Sequence, residues 1–368
     1  MTLIARRRTM LQMGGALSLG LLAPDVAKTT QESGRRLGYA IVGLGGYADV
    51  ILPRFAECRH SRVTALVSGS PEKARRYAAQ YGVAQSSLYT YDTFDTIRDN
   101  PDVDIVYVIL PNGLHREYTV RAAAAGKHVL CEKPMANTSA EAQDMIAACR
   151  AAGRKLMIGY RSRFEANNRE AIRVVRSGEL GTLRVVTADH GFNIGDPTQW
   201  RLNRALAGGG SLMDIGIYSL QAARYLTGEE PVAVSAVEST DRSDIRFREV
   251  EDTINFQLTF ASGVVANCVS TYGSHHNRYR VVGTTGWLDA EPATSYEGNR
   301  LRLHREGRTV DHPAPATPLN QFSSQLDHLS QCVMTDSEPI VPGEEGLRDL
   351  RIIEATYQSA REGRTIRL

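Results

Sequence analysis

The sequence lacks a comfortable membrane span. The apolar stretch that follows its first arginines, Met10 to Ala23, is broken by Gly14, Gly15 and Gly20 and falls short of the roughly 20 apolar residues a spanning helix needs. No stable membrane association is expected. No basic block runs through the body: 43 Lys and Arg stand against 41 Asp and Glu, a formal net charge of +2, which argues against a nucleic-acid partner. There is no repeat with a period of roughly 20–50 residues, which excludes solenoids and propellers. Cysteine is scarce and unpatterned. Cys58, Cys131, Cys149, Cys268 and Cys332 are odd in number and show no C-x-x-C spacing, so a disulfide framework is not expected and the five read as buried apolar residues. His275-His276 has no carboxylate or cysteine at ligand spacing, so no metal site is expected.

What is present begins with a signal. Arg6-Arg7-Arg8 precedes the short apolar run and a small-residue exit, the pattern of a signal peptide. Paired arginines with an apolar residue two positions later resemble a twin-arginine signal. Residues 1–27 are assigned to it, with an imperfect cleavage site, and residues 28–36 to a short polar lead-in. A periplasmic location follows, with the twin-arginine export machinery as partner. That route carries folded proteins, so the chain would fold in a reducing cytosol, in keeping with the absent disulfide pattern.

The remaining length suffices for two domains. Tyr39-Ala40-Ile41-Val42 reads as a buried strand running into Gly43-Leu44-Gly45-Gly46-Tyr47-Ala48 and then a helix, Tyr47 to Cys58. This is the G-x-G-x-x-A order of a dinucleotide-binding βα turn. Gly43 would allow the tight turn, and Gly45 would let a pyrophosphate approach the backbone at a helix N-terminus. The second strand, Val63 to Val67, ends in Ser68-Gly69-Ser70-Pro71-Glu72-Lys73. An acidic residue here would take the ribose hydroxyls of NAD; a hydroxyl and a positive charge favour NADP. Ser70-Pro71-Glu72 also suits the start of a helix Pro71 to Tyr81, and both readings hold together. Strands Asp104 to Leu110, His128 to Cys131 and Lys155 to Tyr160 alternate with helices His115 to Ala125 and, after the capping box Thr138-Ser139-Ala140-Glu141, to about Ala152. The alternation predicts a doubly wound parallel sheet. Pro111-Asn112 and Glu132-Lys133-Pro134 fall at carboxyl ends of strands, where such sheets bind ligands.

In the second half, Asp214 and Tyr218 are four apart and share one face if the segment is helical. An acid–base pair and a capped helix with a half-buried tyrosine both remain open there. Gly208-Gly209-Gly210 would let a loop come close to a ligand. Trp200 and Arg201 would cover the nicotinamide or simply pack. Strands Val232 to Val237, Thr253 to Phe260, Val264 to Thr271 and Tyr279 to Gly283 suit a sheet with one packed face, and Gly346 to Arg361 a closing helix.

Taken in order, Gly43-Leu44-Gly45, Pro111-Asn112-x-x-His115, Ala125-Gly126-Lys127-His128-Val129, Glu132-Lys133-Pro134, Ile158-Gly159-Tyr160-Arg161, Gln199-Trp200-Arg201-Leu202 and Gly208 to Tyr218 resemble the glucose–fructose oxidoreductase / inositol dehydrogenase family, most closely its periplasmic glucose–fructose and aldose–aldose branch. The resemblance runs from about Leu37 to Ile366. It implies an α/β fold: an N-terminal Rossmann domain, residues 37–158, and a C-terminal α/β domain, residues 159–368, with a large open, mainly antiparallel sheet. It makes Lys133 the catalytic lysine. Tyr218 stands where many members have histidine, with Asp214 beside it. It assigns cofactor contacts to Gly43, Gly45, Gly46, Tyr47, Ser68, Gly69, Lys73, Tyr91, Leu110, Pro111, Asn112, His115, Glu132, Lys133, Arg161, Trp200 and Arg201. Sugar contacts fall to Lys133, Tyr160, Asp214, Tyr218 and Tyr296. A homodimer or homotetramer is expected. The lead-in is shorter than the long-armed relatives' N-terminal arm, and their C-terminal extension has no counterpart up to Leu368.

The implied activity is oxidation of an aldose to its lactone with tightly bound NADP, and reduction of a second sugar to a polyol. The alternatives are an ordinary NADP-dependent sugar or polyol dehydrogenase with exchanging cofactor and a non-catalytic sensor. A free tyrosine ionises near ~10, so Tyr218 needs nearby positive charge, from Lys133 and the nicotinamide, to act as base.

Overall fold

The computed structural model describes residues 34–368, Pro318 excepted. The expected signal peptide and most of the lead-in lie outside the described residues. The first sheet has strands β1 (Leu37–Val42), β2 (Ser61–Val67), β3 (Leu88–Tyr89), β4 (Ile105–Val108), β5 (His128–Cys131) and β6 (Leu156–Ile158). Their order is β3-β2-β1-β4-β5-β6 and every pairing is parallel. β1 and β4 are buried along their whole length, which is why they read as continuous apolar runs rather than alternating ones.

The connecting helices are α1 (Gly46–Ile51), α2 (Pro71–Tyr81), α3 (His115–Ala124) and α4 (Ser139–Ala151). The expected helix Tyr47 to Cys58 is divided. After Ile51 the chain tightens into a 3₁₀ turn, Leu52–Ala56. Pro53 has no N–H for an α-helical bond, and its ring crowds the carbonyl four residues back. Caps behave as their residue types dictate. Ser70 Oγ accepts from Lys73 N at 3.3 Å at the start of α2. Thr138 Oγ1 accepts from Glu141 N while Glu141 Oε2 accepts from Thr138 N, both at 3.2 Å, closing the capping box of α4.

The second layer begins with α5 (Ala166–Arg176), β7 (Leu183–Gly191), α6 (Arg204–Ala207) and α7 (Ile217–Thr227), and continues through β8 (Pro231–Ser239), β9 (Thr253–Phe260), β10 (Val265–Thr271) and β11 (His276–Gly283). It ends with β12 (Gly286–Ala290), β13 (Leu301–Arg305), β14 (Arg308–Asp311), α8 (Gln321–Thr335), α9 (Gly343–Glu362) and β15 (Ile366–Arg367). The nine strands run β14-β13-β12-β11-β7-β10-β9-β8-β15. Only β7 and β10 pair in parallel; the other neighbours are antiparallel. α7 covers β7 and β10. The end of the chain also serves the first sheet. Asp327 on α8 accepts from Arg59 N at 2.7 Å, His60 N at 2.9 Å and Ser61 Oγ at 2.8 Å, and Tyr39 of β1 donates to Leu326 O at 2.8 Å. A helix well beyond residue 159 is thus built onto the first sheet. All five cysteines are buried and free.

Candidate active site

The site forms at the carboxyl ends of β1, β4 and β5. Gly43 has φ 102°, and a Cβ there would sit 2.9 Å from Leu110 Cδ2 and 3.3 Å from Ile109 O, so the turn needs glycine. Gly45 and Gly46 are exposed, a Cβ on either meets nothing within 4 Å, and no side chain caps the start of α1. The open cradle and its uncapped N–H groups fit a phosphate. At the end of β2, Ser68 Oγ accepts from Ser70 N at 3.1 Å. A Cβ on Gly69 would lie 3.2 Å from the Tyr91 ring edge, so Tyr91 closes this end. Lys73, in the first turn of α2, has no ion-pair partner among the described residues.

The chemical end is a cluster of charge and aromatic rings. Lys133 follows β5 through the buried Glu132, whose Oε1 accepts from Tyr107 at 2.5 Å. Burial pushes the Glu132 carboxyl up, and the bonds from Tyr107 and Lys133 only partly offset it. Lys133 Nζ donates to Asp214 O at 2.5 Å and lies 3.4 Å from Asp214 Oδ1. Arg201 Nε sits 2.9 Å from Asp214 Oδ2, and Tyr272 donates to the same oxygen at 3.1 Å. Burial alone would raise the Asp214 carboxyl; the charges of Lys133 and Arg201 outweigh it and hold the group below the usual carboxylate range. Lys133 Nζ also stands 5.1 Å from the centre of the Tyr218 ring.

Asp214 and Tyr218 do not share a simple helical face. Leu212–Gly216 is a π-helical turn and α7 starts at Ile217. The wider turn lets Asp214 face Lys133, Arg201 and Tyr272, and it caps nothing. Gly208-Gly209-Gly210 does make a close approach, but to protein. A Cβ on Gly210 would lie 2.0 Å from Glu251 O, and one on Gly209 2.1 Å from the Tyr357 hydroxyl. Buried Glu251 accepts from Gly210 N at 2.8 Å, Leu212 N at 2.9 Å and Tyr357 OH at 2.8 Å, fixing the start of the segment that carries Asp214.

Several of the residues expected to touch ligands are enclosed by protein. Tyr160 is fully buried and its hydroxyl faces the Asp349 side of the molecule. His115 is also fully buried, with Nδ1 2.9 Å from Pro134 O and Nε2 2.7 Å from Leu110 O. It staples the two strand-end loops together. Asn112 spends its amide on Ala207 O at 2.9 Å. Arg161 is committed to protein as well, donating to Gln321 Oε1 and Thr294 O, both at 2.7 Å. Leu110 and Pro111 line the end of β4, Tyr47 opens α1 opposite Glu132, Trp200 packs beneath Arg201, and Tyr296 remains 45% exposed against Phe322.

Three residues here carried no signal in the sequence: Tyr272 from β10's end, Glu251 and His190 of β7. Ser219 Oγ donates to Val269 O at 3.0 Å and so accepts from His190 Nδ1 at 2.9 Å. His190 Nε2 is left a bare lone pair without partner among the described residues; burial holds the ring neutral, down to about 3.

A parallel sheet with a glycine cradle at its switch point, and a lysine at the end of its β5 meeting a carboxylate and a tyrosine from the π-turn and α7, define a nicotinamide-nucleotide oxidoreductase. Two family models match, "Oxidoreductase family, NAD-binding Rossmann fold" over residues 37–160 and "Oxidoreductase family, C-terminal alpha/beta domain" over residues 172–368. The chain belongs to this glucose–fructose oxidoreductase / inositol dehydrogenase family. It is 33% identical over 341 residues to a D-xylose 1-dehydrogenase [NADP(+)] of Haloarcula marismortui, covering 90% of this chain and 92% of the relative. The crystal structure of an aldose-aldose oxidoreductase from Caulobacter crescentus complexed with glycerol superposes with TM-score 0.90 at 67% identity, covering 91% of this chain and 100% of that one. A 3-ketoreductase from Actinomadura kijaniata in complex with NADP and TDP-benzene superposes with TM-score 0.78 at 26% identity, covering 88% and 98%.

Proposed function

We propose that the protein is a periplasmic sugar oxidoreductase that keeps one NADP(H) bound and passes reducing equivalents from an aldose to a second sugar. The observation that carries this reading is the convergence of Lys133, Asp214 and Tyr218 beside the glycine cradle. The names of its relatives support the substrate class: an aldose–aldose oxidoreductase at 67% identity and a xylose dehydrogenase at 33%. NADP is supported by Ser68 at the end of β2 and by Lys73 in the first turn of α2, without an ion-pair partner among the described residues, and by the NADP in the names of the Haloarcula dehydrogenase and the ketoreductase complex.

The bound nucleotide supplies hydride acceptance and donation. The chain's own groups handle protons and orientation. Tyr218 takes the proton of the anomeric hydroxyl as the aldose loses two electrons and becomes a lactone. Lys133 holds the reacting oxygen and offsets negative charge on Tyr218. Asp214, locked by Lys133, Arg201 and Tyr272, fixes the lysine's position. In the return half, Tyr218 gives its proton to the carbonyl oxygen of the second sugar, which becomes a polyol. Export of a folded, loaded enzyme explains why the nucleotide is retained. The test is to denature the purified protein and identify what is released. NADP(H) at near one per chain is the expected result; NAD(H), or no nucleotide, overturns the reading.

A further inference from the structure

Arg161 sits where a cofactor ligand was expected, yet its surroundings are those of a fixed charge. It is buried, and two of its nitrogens are tied to Gln321 and the Thr294 carbonyl. Its guanidinium lies 5.1 Å from the centre of the Tyr218 ring, 4.7 Å from that of Tyr296 and 5.8 Å from that of Phe322. Lys133 Nζ stands at the same 5.1 Å from the Tyr218 ring. The guanidinium cannot lose its proton in a protein, whereas a lysine can.

We propose that Arg161 is a positioning residue for the base: a permanent buried cation, clamped by Gln321 and Thr294, that joins Lys133 in stabilising negative charge on Tyr218, so that Lys133 can also serve the substrate oxygen. The inference rests on Tyr218 being the base. Apart from Lys133, the other groups facing Tyr218 do not supply this charge. His190, 5.8 Å away ring to ring, is held neutral by burial. Asp214 is neutralised by Lys133 and Arg201, and Glu132 is bonded to Tyr107. Tyr47 and Tyr296 are themselves acids raised by burial. Arg163 shares the small cavity behind Tyr218 but stacks on Tyr225 at 4.1 Å. In a low-dielectric site a cation at this range favours an anionic neighbour strongly.

The experiment compares Arg161→Met, Arg161→Lys and Arg161→Ala with the parent holoenzyme in kcat against pH, alongside Tyr218→Phe. Nucleotide content and denaturation midpoint serve as folding controls. Arg161→Met should turn over at least about tenfold more slowly at neutral pH and recover as pH rises, its half-maximal point displaced upward by about one pH unit or more. Arg161→Lys should keep that point near the parent's. Free guanidinium should restore Arg161→Ala, and urea, its neutral isostere, should not. An unmoved pH curve in Arg161→Met, or equal rescue by urea, overturns the inference alone when Tyr218→Phe is inactive. Near-normal turnover of Tyr218→Phe overturns the base assignment and this inference with it.

Discussion

Replacing Asp214 by asparagine keeps its shape and removes one charge from a site that balances two cations against it. Lys133 Nζ lies 3.4 Å from Oδ1 and Arg201 Nε 2.9 Å from Oδ2. At an effective dielectric of about 20, unit charges at such distances attract by roughly 5 kcal/mol each before desolvation is counted. Burial of the carboxylate opposes this, and the Lys133 and Arg201 side chains keep 15% and 35% of their surface in solvent, which screens part of the gain. The net loss in Asp214→Asn should be about 2–4 kcal/mol, below the full cost of breaking a wholly buried pair. The sign with pH follows from the carboxyl being held low. A group depressed in the folded state stabilises above its unfolded value, near ~3.9, and that contribution vanishes as pH falls through the folded value. Urea denaturation at neutral pH should therefore show a lower midpoint for the variant with an unchanged slope. The gap should close progressively below about pH 4. A variant as stable as the parent at neutral pH, or a gap that does not change with acid, would refute the claim that charge balance at Asp214 holds the site together.

Tyr218→Phe and Lys133→Ala should each lower kcat by about 10²–10⁴-fold with nucleotide still bound; steady-state kinetics on the holoenzyme checks this, and near-normal kcat in Tyr218→Phe moves the base elsewhere. Ser68→Asp combined with Lys73→Ala should shift the nucleotide recovered after denaturation from NADP toward NAD, because a carboxylate at the end of β2 repels a 2′-phosphate and accepts from ribose hydroxyls. Gly43→Ala should reduce nucleotide content sharply, since a Cβ at φ 102° meets Leu110 2.9 Å away; full occupancy in that variant would contradict the tight turn.

What was legible in the sequence was mostly local. The apolar run of β1 with its glycine turn, the caps Ser70 and Thr138 and the strand His128–Cys131 depend on neighbours a few residues apart, and the structure places them as read. The limit of α1 is written in Pro53, inside the helix expected from Tyr47 to Cys58. Strands β7 and β12 to β15 went unread, being mixed with charge or short; β14 is exposed along its whole length. Lys133, Asp214 and Tyr218 stand in motifs that the sequence shows, and the structure brings the three together. The residues that govern them were not legible, since Tyr272, His190 and Glu251 come from strands or a loop paired across the second sheet, and nothing near them in sequence marks the encounter. The burial of Tyr160 and His115 was likewise not legible, since it depends on elements far away in sequence.

The central claim is that the nucleotide stays bound through the whole cycle. The direct measurement is turnover by exhaustively dialysed enzyme given glucose and fructose, or glucose alone as donor and acceptor, with no nucleotide added. Sustained formation of lactone and polyol in equal amounts, with parallel lines when donor and acceptor are varied, is the predicted result. Activity that appears only when NADP(H) is supplied would contradict the account and make the protein an exchanging dehydrogenase.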